Sequence, residues 1–138
     1  MKHIYLLPLS FLACFSVFGQ TIPNLSKDWN GVSNHTFLED KSNGGIQKKS
    51  VPATYQVLKQ DGRSVLLLFK SELTQSKVIG TISVDGKQLS IAYYGGAGIY
   101  NLNGKSMQGC GVTTKFDKAA KNGVVPYTTW CDEFTALD

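Results

Sequence analysis

Few residues in this chain have the chemistry for catalysis, and their spacing offers them little. A Ser-His-Asp arrangement would have to use His35, the one histidine beyond residue 19, and no Gly-x-Ser-x-Gly elbow accompanies it. Glu39, Asp40, Glu72, Asp132 and Glu133 supply carboxylates for acid–base work on a glycosidic bond. They fall in loops or near the chain end with nothing to single out a pair, which reads as surface solvation. Gly95-Gly96-Ala97-Gly98 is no phosphate cradle, because it lacks the Lys-Ser/Thr of a P-loop and no helix follows. The reading is therefore a chain without catalytic residues, without a cofactor and without a metal site.

The cysteines point to a compartment instead. Met1-Lys2-His3 forms a short basic start, Ile4 to Val17 is an apolar run broken only by Pro8, Ser10 and Ser16, and Val17-Phe18-Gly19 suits a signal peptidase. The expectation is a signal peptide over 1–19 cleaved after Gly19, leaving a single secreted domain over 20–138 and no membrane span. Leu12-Ala13-Cys14 has the outline of a lipobox, with Phe11 where that pattern takes an aliphatic, so a lipid anchor at Cys14 is the secondary reading. Two cysteines then remain, Cys110 and Cys131. In an oxidising compartment an even pair means one disulfide, worth roughly 3 kcal/mol for a loop of that length. A Cys/His metal site lacks partners, since only His35 is left.

Charge excludes another class. Without residues 1–19 there are thirteen basic against ten acidic residues, and Arg63 is the sole arginine. The lysines are spread along the chain, with Lys48-Lys49 the densest pair, so nucleic acid is not the partner. Asn24-Leu25-Ser26 and Asn34-His35-Thr36 would be glycan acceptors only in a eukaryotic secretory route, which leaves periplasmic and extracellular destinations both open.

The strongest recognition signal is Tyr93-Tyr94-Gly95-Gly96-Ala97-Gly98-Ile99-Tyr100. Tyrosine offers large amphipathic contact area at low entropic cost, and glycines let a loop approach a partner closely. Tyr93, Tyr94, Gly96, Gly98 and Tyr100 are therefore candidate binding residues, as is Trp29, whose other reading is a plug at the end of a core. Gly96-Ala97-Gly98-Ile99-Tyr100 resembles the small-residue-plus-tyrosine loop that periplasmic lysozyme inhibitors push into an enzyme cleft, without the serine typical of that loop. The resemblance spans five residues and implies a mode of recognition.

These residues must be positioned by strands. Two hairpins organise the chain: Thr54 to Lys59 with Arg63 to Lys70 across Asp61-Gly62, and Val78 to Val84 with Gln88 to Tyr94 across Asp85-Gly86. Asp-Gly suits a type I′ turn, in which both central residues take positive φ. Val32 to Glu39 alternates without a cleanly apolar face, as an edge or barrel-closing strand does. Asp40 to Pro52 reads as a long polar loop. Val65-Leu66-Leu67-Leu68-Phe69, apolar on both faces, reads as a strand covered on both sides. Gly95 to Gly98 is expected to interrupt the chain before Ile99 to Leu102, and Asn103-Gly104 makes a third turn. Asp117 to Lys121 predicts one short helix, stopped by Asn122-Gly123. Val124 to Phe134 closes the set, with Pro126 favouring an edge. The fold class is all-β: a small antiparallel meander closing into a lipocalin-like or related barrel, or a two-sheet sandwich, with one helix and one disulfide.

The functional expectation is a non-enzymatic secreted or periplasmic binding protein that recognises another protein through exposed loops, as an inhibitor or a toxin-immunity protein does. A small-ligand-binding barrel is the alternative, and an envelope hydrolase or a structural surface component the remaining ones. Interior volume separates the first two: a barrel filled by Leu66, Leu68, Ile82 and their neighbours leaves recognition to its rim.

Overall fold

The chain was analysed as a computed structural model, which describes residues 21–38, 45–114 and 127–137. The expected signal segment, Cys14, the 117–121 helix and Pro126 lie outside the described residues. Eight strands follow in order: β1 (Asp28–Leu38), β2 (Ile46–Asp61), β3 (Ser64–Ser71), β4 (Gln75–Ile82), β5 (Gln88–Tyr93), β6 (Gly96–Asn103), β7 (Ser106–Thr114) and β8 (Tyr127–Leu137). Each is antiparallel to the next, and β8 returns to pair with β1, so the sheet is a closed barrel and not a sandwich. An even number of strands is what lets the last meet the first antiparallel.

Period-two alternation fills the barrel. Trp29, Tyr55, Leu67, Ile82, Leu89, Tyr100, Met107 and Phe134 are all buried. Tyr55 is the aromatic hub, with ring centroids 5.0 Å from both Phe69 and Phe134 and 5.8 Å from Tyr100. One residue is out of step in the sequence, since Lys59 shares the parity of Tyr55 and Val57. A β-bulge between Val57 and Lys59 resolves it: Val57 pairs with Leu67 but Lys59 pairs with Leu66, and Lys59 is turned out to solvent.

The β3 run is not covered on both sides. Val65, Leu67 and Phe69 are buried, whereas Leu66 and Leu68 lie half-buried on the outer wall, so Ile82 fills the interior but those two leucines do not. The stretch expected as a loop up to Pro52 is also shorter. Ile46 to Val51 is already β2, pairing with the far half of β1, and Pro52 is tolerated because β3 ends at Ser71 opposite Ala53, one step before it.

The turns differ from the type I′ expectation. Among the described residues positive φ is confined to glycine. The first hairpin turns at Gly62-Arg63 between paired Asp61 and Ser64, with Gly62 at φ 56°. The second runs over Ser83 to Lys87, where the Ser83 hydroxyl donates to Asp85 at 2.5 Å and the Lys87 amide donates to the same carboxylate at 3.1 Å. Those bonds hold the exposed Asp85 carboxyl below its usual range. The lead-in before β1 is anchored at this end. The Leu25 amide donates to Gln60 Oε1, Gln60 Nε2 donates to the Pro23 carbonyl, and the Val57 amide donates to the Lys27 carbonyl. Leu25 packs on the core, and the Trp29 indole N–H donates to the Ser26 carbonyl.

The disulfide forms as expected. Cys110 of β7 and Cys131 of β8 are direct cross-strand partners, and the bridge lies on the outer wall. Barrel closure is tightest at Gly31, where a Cβ would stand 1.8 Å from the Glu133 carbonyl oxygen of β8. Replacing Gly31 with Ala is expected to cost about 3 kcal/mol through forced separation of β1 and β8. Gly104→Ala, at φ 57° with nothing within 4 Å, is expected to cost about 1 kcal/mol from backbone strain alone. Urea unfolding followed by tryptophan fluorescence compares the two, and equal losses would mean that the close approach at Gly31 is not limiting.

Candidate functional site

The candidate residues do not gather into one loop. The expected interruption is confined to the Tyr94-Gly95 turn between β5 and β6, with Gly95 at φ 79°, and does not extend over Gly96-Ala97-Gly98, which is the start of β6. Tyr94 stands 91 % exposed on that turn. Tyr93 is half-buried, and Tyr100 and Trp29 are core residues. The resemblance to an inserted inhibitor loop fails on this point, because Gly96 to Tyr100 is barrel wall with the tyrosine turned inward.

The glycines have a packing role that this strand geometry requires. A Cβ on Gly96 would meet the Tyr93 ring at 2.4 Å, and Cβ atoms on Gly98 and Gly111 would meet the Trp130 ring at 2.3 and 2.2 Å. Side-chain-free stretches of β6 and β7 are thus the floor on which Trp130 lies, stacked on Tyr100 at 5.7 Å. The Trp130 indole N–H donates to the Tyr93 hydroxyl at 3.0 Å, and Tyr93 is hydrogen-bonded to Thr113.

Below this layer runs a polar chain that connects β1, β2, β6 and β8. Asp132, 2 % exposed, is the acceptor at its centre. The Ser33 hydroxyl donates to Oδ1, the Tyr100 hydroxyl donates to Oδ2 at 2.5 Å, and the Tyr55 hydroxyl lies 3.1 Å from that of Tyr100. On the other side of Ser33, His35 Nε2 stands 3.0 Å from Oγ. His35 is half-buried, cross-strand from Lys49 and from Trp130, and Lys49 forms an ion pair at 2.8 Å with Glu72. Thus the chain runs from the barrel centre to the end that carries the Tyr94 turn.

Asp132 was expected on the surface. It shares the inward face of β8 with Trp130, Phe134 and Ala136, so the alternation of that strand marks it as buried. Ser33, two residues from His35, carries the same parity mark on β1 beside buried Trp29. What no local pattern discloses is that the two meet, since they are 99 residues apart in the chain.

Burial sets the protonation chemistry. Desolvation pushes the Asp132 carboxyl above its ordinary range, against the two hydroxyl donors that favour its charged form. Desolvation, with the Lys49 charge beside it, pulls the His35 imidazole below its ordinary value. The Tyr55 and Tyr100 phenols are pushed far up by burial and remain hydroxyl donors.

Histidine, serine and aspartate do come together, but in the wrong order for nucleophilic catalysis. A triad places the imidazole between hydroxyl and carboxylate; here the hydroxyl is in the middle, and Ser33 is 1 % exposed. No protein-family model matches the chain, and no curated protein matches it.

The buried carboxyl makes stability pH-dependent with a definite sign. Its folded-state value lies above the ordinary 3.8, so its contribution is fully present below that pH and is lost as pH rises through the raised value. Asp132→Asn is expected to gain on the wild type by about 1.4 kcal/mol for each pH unit of that window. Urea midpoints of both proteins from acidic to neutral pH measure the difference. A constant gap across the range would mean that the carboxyl keeps its ordinary affinity for protons.

Proposed function

We propose that this protein is a non-enzymatic binding module, secreted or periplasmic, that recognises another protein in the manner of an inhibitor or a toxin-immunity protein. The observation that carries the reading is Tyr94, 91 % exposed on the β5–β6 turn of a barrel whose interior is occupied by its own aromatic and aliphatic side chains. With the core packed in this way, recognition falls to the outside. The outer wall beneath Tyr94 supports the same reading. Leu66, Ile79, Ala92, Ala97 and Val112 are successive register partners across β3 to β7, and the neighbouring register row from Ser64 through Thr81, Ser90 and Ile99 to the disulfide is likewise uncharged. Ile79 is 64 % exposed there. A contiguous uncharged face of this kind, topped by an exposed tyrosine, has the composition of a protein contact.

The exposed disulfide agrees with the proposed compartment, since an oxidising environment is where such a bridge persists.

Capture from native envelope and secreted fractions with the wild type, Tyr94→Ala and Ile79→Lys tests the proposal. Both positions are exposed, so the variants should keep the fold, and circular dichroism checks this. The expected result is a partner that binds the wild type and is weakened at least about tenfold by Tyr94→Ala. A partner held equally by all three would place the contact elsewhere, and repeated failure to capture any protein would overturn protein recognition in favour of a small ligand.

A further inference from the structure

The chain from Asp132 through Ser33 to His35 joins an acid and a base by a single hydroxyl. Ser33 Oγ is within hydrogen-bond reach of both, so its one proton can point either way. When it points to Asp132, the carboxyl is ionised and the imidazole Nε2 carries a proton that it donates to Ser33. When it points to His35, the carboxyl holds the proton and donates it to Ser33, and Nε2 accepts. The two arrangements differ by one proton passed along two hydrogen bonds. One proton shifts within each hydrogen bond, no heavy atom moves, and the net charge is the same.

We propose that Asp132, Ser33 and His35 form a proton-sharing unit, in which one proton is held jointly by a buried carboxyl and an imidazole near the barrel mouth, and which titrates as a pair and not as two separate groups. The physical reason is desolvation. Burial raises the proton affinity of an acid and lowers that of a base, so the two affinities, ordinarily well separated, are driven toward each other. The one-proton state is favoured over its neighbours on either side. Removing its proton leaves an unpaired anion inside the barrel, and adding one leaves an unpaired cation beside Lys49.

Among the described residues, the groups that face the pair are already partnered or do not ionise. Lys49 of β2 faces His35 and is ion-paired to Glu72. Tyr55 of β2 and Tyr100 of β6 face the carboxyl as hydroxyls, and Tyr93 of β5 is bonded to Trp130 and Thr113. The inward residues offered by β3, β4 and β7 in this part of the barrel, Leu67, Phe69, Val78, Gly109 and Gly111, do not ionise. Among the described inward-facing groups, acidification therefore acts at this pair. It adds a positive charge at His35, beside Lys49 and cross-strand from Trp130, at the same end of the barrel as the Tyr94 turn.

Nuclear magnetic resonance titration of the labelled chain tests this directly. In the wild type the His35 imidazole and the Asp132 carboxyl carbon are expected to shift in the same two steps. In Asp132→Asn the His35 curve should collapse to one step, with its midpoint lower by about one pH unit or more. Ser33→Thr, which keeps the hydroxyl, should retain the two shared steps, and Ser33→Ala should lose them while both groups still titrate. If Asp132→Asn does not fold, His35→Gln asks the same question from the other end, and one of the two steps at the Asp132 carbon should vanish. A wild-type His35 curve with a single step that overlays that of Asp132→Asn, or an Asp132 curve unchanged in His35→Gln, would overturn the proposal.

Discussion

The ladder between β1 and β8 is the constraint on which the rest of the barrel depends. Seven of the eight ladders join strands that follow each other in the chain, so the stretch of sequence each must close is comparatively short. The eighth joins Asp28–Leu38 to Tyr127–Leu137 across the whole length of the domain, and it alone removes the two free edges. Its cost is loop-closure entropy, which is highest for the most distant pairing. The sequence answers with a glycine at the closest approach, Gly31 against the Glu133 backbone, and with a disulfide that staples β8 to β7 and so presents it in place for β1.

Closure also creates the interior in which the polar chain has meaning. A carboxylate on an open sheet would be solvated, but on the inward face of a closed barrel Asp132 must find its donors within the protein. It finds them on β1 and β6, which are brought to it only because the barrel is shut. Buried side-chain polar atoms among the described residues all have partners, so this network is fully satisfied, the condition under which a buried polar group specifies one arrangement instead of weakening it. The aromatic side chains around it rest on glycines of β6 and β7, so that large rings and a bare backbone together reach the density of a core.

With the inside occupied, the outside divides into two kinds of surface. Lys59, Lys70 and Lys77 stand on β2, β3 and β4 beside or above the uncharged rows, while β5 to β7 present alanine, serine, isoleucine, valine and the cystine bridge. Such segregation leaves one uncharged face and one that carries lysines. The polar chain ends near the same rim, so His35 and the exposed Tyr94 lie at one end of the barrel.

What the sequence by itself determined was whatever depends on neighbouring residues. The glycine turns near 62, 86 and 104, the alternation of Leu89, Ile91 and Tyr93, the pairing of Cys110 with Cys131 and the all-β meander were legible, because turn geometry and period-two patterning are local properties of the backbone. Tertiary structure decided which way each strand faced and what met inside. A bulge after Val57 sent Lys59 outward, pairing with the far half of β1 drew Ile46 to Val51 into β2, and the inward register of β6 took Tyr100 away from any loop and into the core. The meeting of Ser33, His35, Tyr100 and Asp132 was decided there as well, since the environment that sets the proton affinity of a side chain is supplied by strands distant in the chain and exists only once the barrel has closed.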